Sequence, residues 1–129
     1  MILKKGLIKA DIIAARQALD YFDQTHIKDI KNIAAYHLQQ AAEKLIKYQI
    51  YKALQTTENR KMYTHDLSKL IEYAKAESLK LIVPEYIREH VNSITEWEAG
   101  SRYDIGFSIR IDSLKKCFKV IEDWEKQIY

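Results

Sequence analysis

Apolar residues recur every three or four positions along most of the chain, which is the spacing of one face of an α-helix. This period predicts a first helix over about residues 8–23 and a second over about residues 29–54. The positions that define them are Ile12, Ala15, Leu19 and Phe22 in the first segment and Ala34, Leu38, Ala41, Leu45 and Ile46 in the second. Two alanine pairs in the second segment, at 34–35 and 41–42, would let another helix approach closely.

Three further helices follow from the same period. Thr64 is a suitable N-cap for the third, with Asp66 in its first turn, and Pro84 suits the first position of the fourth because a missing N–H costs nothing there. The fifth is predicted over about residues 108–128. The apolar positions are Leu67, Leu70, Ile71 and Ala74 in the third, Ile87, Val91, Ile94 and Trp97 in the fourth, and Leu114, Cys117, Phe118, Ile121, Trp124 and Ile128 in the fifth.

Turn residues are scarce, since the chain has three glycines and one proline in 129 residues. A protein of many strands would need more of them. The apolar run "LKLIV" before Pro84 has no second run of its kind to pair with, so we interpret it as a connector. The predicted fold is all-α: a single domain over residues 1–129, built as an up-and-down bundle of four to five helices.

Composition adds limits on location and partners. Hydrophobic residues make up 47% of the chain and charged residues 30%, which is typical of a globular protein. The net charge of +3 permits contact with nucleic acid without arguing for it. One cysteine, Cys117, cannot form an intrachain disulfide, and neither a signal peptide nor an uninterrupted run of eighteen apolar residues is found. We therefore expect a cytoplasmic protein that does not enter a membrane.

Several kinds of catalytic or cofactor site are disfavoured by spacing. No histidine follows a glutamate by three residues, as a di-iron bundle requires, and no His-x-x-His or Cys-x-x-Cys pair offers a zinc scaffold. The glycines at 6, 100 and 106 cannot form a phosphate-binding loop. Cys117 lies on the apolar face of the last helix and is interpreted as an inert core thiol. We expect no metal and no cofactor.

Three motifs in order, "YHLQQAAEKLIK", "THDLSKLIEYA" and "SRYD" before the last helix, resemble those of the HEPN domain family. The resemblance covers roughly residues 8–124. It implies a helical bundle that commonly forms homodimers, from prokaryotic systems in which a minimal nucleotidyltransferase often accompanies it, as in toxin–antitoxin pairs. Many members are metal-independent ribonucleases, in which an Arg followed after four to six residues by a His opens the last helix.

The ribonuclease motif is incomplete in this chain. Arg102 matches its arginine, but the three positions open to the histidine hold Phe107, Ser108 and Ile109, none of which is a general base at neutral pH. The "RY" form resembles a non-nuclease branch of the family. Arg60 and His65 also satisfy the spacing, but they precede the third helix, so His65 is interpreted as a residue that caps or packs at the start of that helix.

Three interpretations of Arg102 remain open. It can pair with a carboxylate such as Glu98 while Tyr103 packs its ring; it can bind an anion while Tyr103 stacks on a base; or it can act with Asp104 or Tyr103 in a divergent ribonuclease. Glu43, Lys44 and Lys47 lie off the alanine seam of the second helix, and the lysines would extend a binding patch.

The sequence therefore favours a nucleotide- or RNA-binding accessory module, homodimeric and working with a minimal nucleotidyltransferase. The alternative, from another functional class, is a purely structural bundle that binds other proteins and has no nucleotide site.

Overall fold

The computed structural model describes residues 5–55, 60–103 and 107–128, and within them every regular element is helical. The α-helices are α1 (Lys5–Thr25), α2 (Ile30–Leu54), α3 (Leu67–Ala76), α4 (Glu85–Glu89), α5 (Val91–Tyr103) and α6 (Ile111–Ile128), and Arg60–Met62 forms one turn of 3₁₀-helix. This confirms the predicted all-α bundle. In the part of the chain described, no helix combines the length and the apolarity that crossing a bilayer requires.

Helix α2 lies at the centre, where α1, α3, α5 and α6 all pack against it. Its paired alanines are completely buried, as the predicted close approach of another helix requires. Because neighbours surround α2, three polar side chains on it are buried as well, namely Gln39, Glu43 and Lys47. Glu43 and Lys47, which lie off the alanine seam, are therefore enclosed by other neighbours of α2.

Helix α6 confirms its predicted inward face and begins at Ile111, three residues later than predicted. Leu114, Cys117, Ile121 and Trp124 are all buried. Burial raises the pKa of the Cys117 thiol to about 12, so the thiol is protonated and unreactive at neutral pH, as expected of a core cysteine.

The start of α3 differs from the prediction. Asp66, not Thr64, is the N-cap: its Oδ1 accepts hydrogen bonds from the amides of Ser68 at 3.0 Å and Lys69 at 3.4 Å. The Thr64 hydroxyl instead accepts from the Asp66 amide at 3.1 Å, in the turn before the helix.

The ionised form of this cap is stabilised. Burial acts to raise the pKa of Asp66, but hydrogen bonds from Ser68 and Lys69 and the charge of Lys69 outweigh it and hold the pKa below its usual 3.8. Asp66 therefore stabilises the fold fully at pH values above the pKa that its carboxyl has in the unfolded chain. This stabilisation is lost as the pH falls through the lower pKa of the folded protein.

The predicted fourth helix is two helices in the structure. The chain leaves helical geometry at His90. The His90 amide donates to the carbonyls of both Tyr86 and Ile87, and its ring stacks on the Tyr86 ring with 4.2 Å between the ring centres. Pro84 precedes α4 as its N-cap residue and is not its first helical residue.

Helix α5 also runs further than expected. Residues 100–103, predicted to lie in a break between helices, form its last turn. Gly100 is required there by a close contact, because a Cβ atom at this position would lie 2.7 Å from Cδ2 of Phe107. The Phe107 ring thus packs directly on the backbone of the α5 turn that carries Arg102.

The segment before α4 is a connector without regular structure, as predicted, and its backbone pairs with a side chain. The Gln49 amide group donates to the Ile82 carbonyl at 3.0 Å and accepts from the Ile82 amide at 2.7 Å. Trp124 Nε1 donates to the same carbonyl at 2.6 Å. Side chains of α2 and α6 therefore satisfy backbone groups that a neighbouring strand would otherwise bind.

Three helices end without glycine. His26, Gln55 and Ser78 each adopt the left-handed conformation, with φ between 53° and 59°. At the end of α2 the Gln55 amide donates to the Tyr51 carbonyl at 2.7 Å, which closes the last turn. Residues other than glycine and asparagine are strained in this conformation.

We predict opposite effects for one substitution at two glutamines. Gln55→Gly relieves the strain and raises the free energy of unfolding by up to about 1 kcal/mol. Gln17→Gly, at an exposed position within α1, lowers it by about 1 kcal/mol. Urea denaturation measures both, and stability changes of the same sign would contradict the role assigned to Gln55.

Candidate functional site

Arg102 lies in the last turn of α5, where a positive charge also interacts favourably with the helix dipole. Its Nη2 donates to Oε1 of Glu98 and its Nε donates to the Glu98 carbonyl at 3.2 Å. The ion pair between Arg102 and Glu98 expected from the sequence is therefore present. Two of the five guanidinium N–H groups are used by Glu98, and the side chain is still 41% exposed.

Two tyrosine rings contact the Arg102 guanidinium. Its Cζ atom lies 5.3 Å from the ring centre of Tyr36 on α2 and 4.7 Å from that of Tyr103. Tyr103 is 73% exposed, which disagrees with the one of the three interpretations in which its ring packs into the protein. Because the ring is exposed, a planar ligand can stack on it. Asp104, the third candidate of this motif, lies outside the described residues.

A cavity of about 480 Å³ lies between the first turns of α2 and the end of α5. Its walls include Tyr36 and His37 from α2 and Ser101 and Arg102 from α5. The cavity thus combines a permanent cation, an aromatic ring, a hydroxyl group and an imidazole with the carboxylate of Asp29. We refer to it as the Arg102 cavity.

The imidazole of the Arg102 cavity is held by a buried carboxylate. His37 Nδ1 lies 2.8 Å from Oδ1 of Asp11 on α1, and the Lys44 ammonium group lies 2.6 Å from the other oxygen. Since a carboxylate can only accept, Nδ1 carries the hydrogen and Nε2 of the neutral ring keeps its lone pair. Lys44 is therefore part of the Asp11–His37 cluster.

Glu43 forms a second cluster, on the side of α2 that faces α3 and α5. Its Oε2 accepts from Lys47 at 2.9 Å, and its Oε1 accepts from Gln39 at 3.1 Å and lies 2.8 Å from Nδ1 of His65. Lys47 and Glu43 are nearly inaccessible to solvent, whereas the His65 side chain is 59% exposed. The Gln39 amide also donates to the His65 carbonyl at 3.0 Å.

Arg102 is linked to the Glu43 cluster through Glu98 and shares a cavity with His37 of the other cluster. His65 Nε2 lies 3.9 Å from Oε1 of Glu98, the same oxygen that binds Arg102, and His37 lines the Arg102 cavity. The capping part of the His65 interpretation is wrong, because Asp66 caps α3; the His65 ring, largely exposed, instead contacts Glu43 just before the helix. Two imidazoles lie near Arg102, although neither follows it in the sequence.

The three candidate residues on α2 fall into these two clusters. Glu43 and Lys47 lie together next to His65, while Lys44 lies with Asp11. Within the described ranges, no group of three acidic, histidine or cysteine side chains has the arrangement of a metal site.

Sequence reasoning missed Asp11, Tyr36 and His37. Tyr36 and His37 are adjacent in the "YHLQQAAEKLIK" motif, but they belong to the site only because α5 ends beside the start of α2. Asp11 lies 26 residues before His37, and a contact of that separation has no signature in the helical period. The spacing of Gln39, Glu43 and Lys47, four residues apart each time, was a usable signal for a continuous polar stripe.

The profile of the HEPN domain matches residues 12–126, which is most of the chain. The chain belongs to the HEPN domain family. Searches of curated proteins and of solved structures return no significant match. In this HEPN chain the arginine of the "SRYD" motif ends α5 and does not open the last helix.

We predict that Glu43→Ala lowers the free energy of unfolding by about 3–5 kcal/mol, because it leaves the buried Lys47 ammonium without its carboxylate. Glu96→Ala, at an exposed position on α5, is the control and should change stability by less than about 0.5 kcal/mol. Thermal or urea unfolding gives both values. Equal effects of the two substitutions would show that Glu43 is not needed to compensate Lys47.

Proposed function

We propose that this HEPN chain binds RNA or nucleotides in the Arg102 cavity. The observation that carries the proposal is the position of the Arg102 guanidinium, in contact with two tyrosine rings at the border of a cavity. Three of its N–H groups are not used by Glu98, so a phosphate can bind bidentately while the ion pair stays in place. Arginine suits this role because its charge is permanent and its donors form a planar fork.

The tyrosines supply the second half of the recognition. Tyr103 is largely exposed beside the guanidinium, and a base that stacks on its ring would bring its own phosphate within reach of Arg102. Stacking on an aromatic ring is available to every base, which favours binding with little sequence preference. Asp104 directly follows this pair and belongs to the same proposed site.

The wider proposal keeps the partners implied by the resemblance. We propose that the protein is a cytoplasmic homodimer, belongs to the "RY" branch of the family without ribonuclease activity, and works with a minimal nucleotidyltransferase in a toxin–antitoxin-like pair. Family membership supports this proposal. Sedimentation velocity tests its homodimer part, which a species of 15.2 kDa at high protein concentration would overturn.

We predict that Tyr103→Ala weakens binding of a labelled dinucleotide such as UpU by about 5- to 150-fold, as expected for the loss of 1–3 kcal/mol of stacking. The exposed ring can be removed with little effect on stability. Arg102→Lys retains the charge and the pairing with Glu98 but loses the planar fork, and it should weaken binding by about tenfold. Fluorescence anisotropy measures both.

Arg88→Lys, at an exposed position on α4, is the matched control and should bind like the wild type. The proposed function is contradicted if the dinucleotide binds equally well to the Tyr103→Ala, Arg102→Lys and Arg88→Lys variants, or does not bind at all. Thermal unfolding of each variant separates a loss of binding from a loss of folded protein.

A second candidate function, a divergent ribonuclease, is favoured by the geometry of His37. Asp11 holds its Nδ1–H, so Nε2 can take the proton from a ribose 2′-OH in the cavity that Arg102 also lines. The 2′-oxygen would then attack the phosphorus and the bond to the 5′-oxygen would break. The products are a 2′,3′-cyclic phosphate and a 5′-OH, which regains a proton from the imidazolium ion or from water. Arg102 would stabilise the charge on the phosphoryl oxygens.

For this second candidate we predict that His37→Ala lowers the rate of RNA cleavage by about 10²–10⁴-fold, the usual contribution of a general base. His65→Ala is the control and should leave the rate within a few-fold of the wild type, because its ring does not line the Arg102 cavity. Denaturing gels of a labelled single strand give the rates. The ribonuclease candidate fails if the wild type does not cleave, or if the two variants behave alike.

A further inference from the structure

A second surface of the protein combines cations with tyrosine rings. A cavity of about 550 Å³ lies between the 3₁₀ turn and α3, and its lining includes Arg60, Lys61, Tyr63, Lys69, Glu72 and Tyr73. We call it the α3 groove. We propose that it binds the phosphates and bases of a single-stranded RNA whose other nucleotides occupy the Arg102 cavity. The inference rests on the proposed function and extends it, because it makes the ligand an oligonucleotide and not a mononucleotide.

The groove is built on anchored backbone. Met62 is almost completely buried, and the amide of Tyr63 donates to the Arg60 carbonyl at 3.0 Å, which closes the turn. On the opposite wall, Lys69 lies in the first turn of α3, where its amide donates to the cap residue Asp66. The cations of the two walls are therefore carried by elements with fixed backbone positions.

Charge and exposure favour a nucleic acid as the ligand. Three of the lining residues are cationic and one, Glu72, is acidic, so the groove as described carries a net positive charge. The Tyr63 ring is 68% exposed beside these charges, and Lys61 Nζ lies 5.8 Å from the ring centre of Tyr73. Cations beside an exposed ring match the alternating phosphates and bases of a single strand, whereas a peptide of acidic residues would leave the ring without a stacking partner.

The α3 groove is joined to the Arg102 cavity through His65 and Glu98. Thr64 lines the groove, and the next residue, His65, places its exposed ring between Glu43 and Glu98. Glu98 in turn binds Arg102, which borders the other cavity. A strand of several nucleotides that passes over His65 can therefore occupy both sites, and binding at one raises the effective concentration of the strand at the other.

The test compares two probes, the labelled dinucleotide UpU and a labelled single-stranded 12-mer of uridylate, by fluorescence anisotropy at several KCl concentrations. The wild type should bind the 12-mer more tightly and with a steeper dependence on salt. Lys69→Ala and Arg60→Ala should each reduce the slope of log K against log salt by about 0.7 and weaken 12-mer binding about fivefold at 0.1 M salt. Both variants should bind UpU like the wild type.

Lys75→Ala removes an exposed charge from α3 outside the groove lining and is the matched control. The inference is overturned if Lys69→Ala and Lys75→Ala give the same 12-mer affinity and salt slope, or if UpU and the 12-mer bind equally well. A 12-base-pair duplex that competes as strongly as the single strand also overturns it, because paired bases cannot stack on Tyr63.

These outcomes separate the two proposals. If the 12-mer loses its advantage over UpU while Tyr103→Ala still weakens UpU binding, the groove is refuted and the proposed function stands. If 12-mer binding depends on Lys69 but UpU binding is insensitive to Tyr103 and Arg102, the groove is supported and the Arg102 cavity is refuted.

Discussion

The burial of a carboxylate on the central helix is the constraint on which the rest of the structure depends. Helix α2 is enclosed by its neighbours, so Glu43 must find partners within the protein. It binds Lys47 and Gln39 on its own helix and His65 from the segment that enters α3. An uncompensated charge in this position would cost several kcal/mol, so the network fixes where that segment lies against α2.

The same network gives the site its chemistry. Glu98 lies between His65 and Arg102, and on the other side of Arg102 the Asp11 carboxylate holds His37. Arg102 is therefore positioned by its ion pair and by two tyrosine rings, while a large part of it stays open to solvent. A phosphate that approaches meets a cation whose orientation is already fixed, which reduces the entropy lost on binding.

The sequence predicted the helices well because their apolar period is strong, and it included the Arg102–Glu98 pair among three open interpretations because the two residues lie one turn apart. It failed where long-range contacts decide the outcome. No local pattern in the sequence brings Asp11 to His37. None indicates that α5 continues past Gly100, where the Phe107 ring packs on the helix backbone. His65 was set aside because it lies before α3 in the sequence, yet tertiary packing places it beside Glu98.

The pairing of Gln49 with Ile82 has a consequence for the solubility of the chain. The connector is largely apolar, and unpaired backbone in an apolar segment is a template on which other molecules can add as strands. A primary amide presents a donor and an acceptor side by side, so Gln49 occupies the hydrogen-bonding edge of Ile82 as another peptide would. Loss of this amide would leave the Ile82 carbonyl bonded to Trp124 and free the Ile82 N–H for a strand of another molecule.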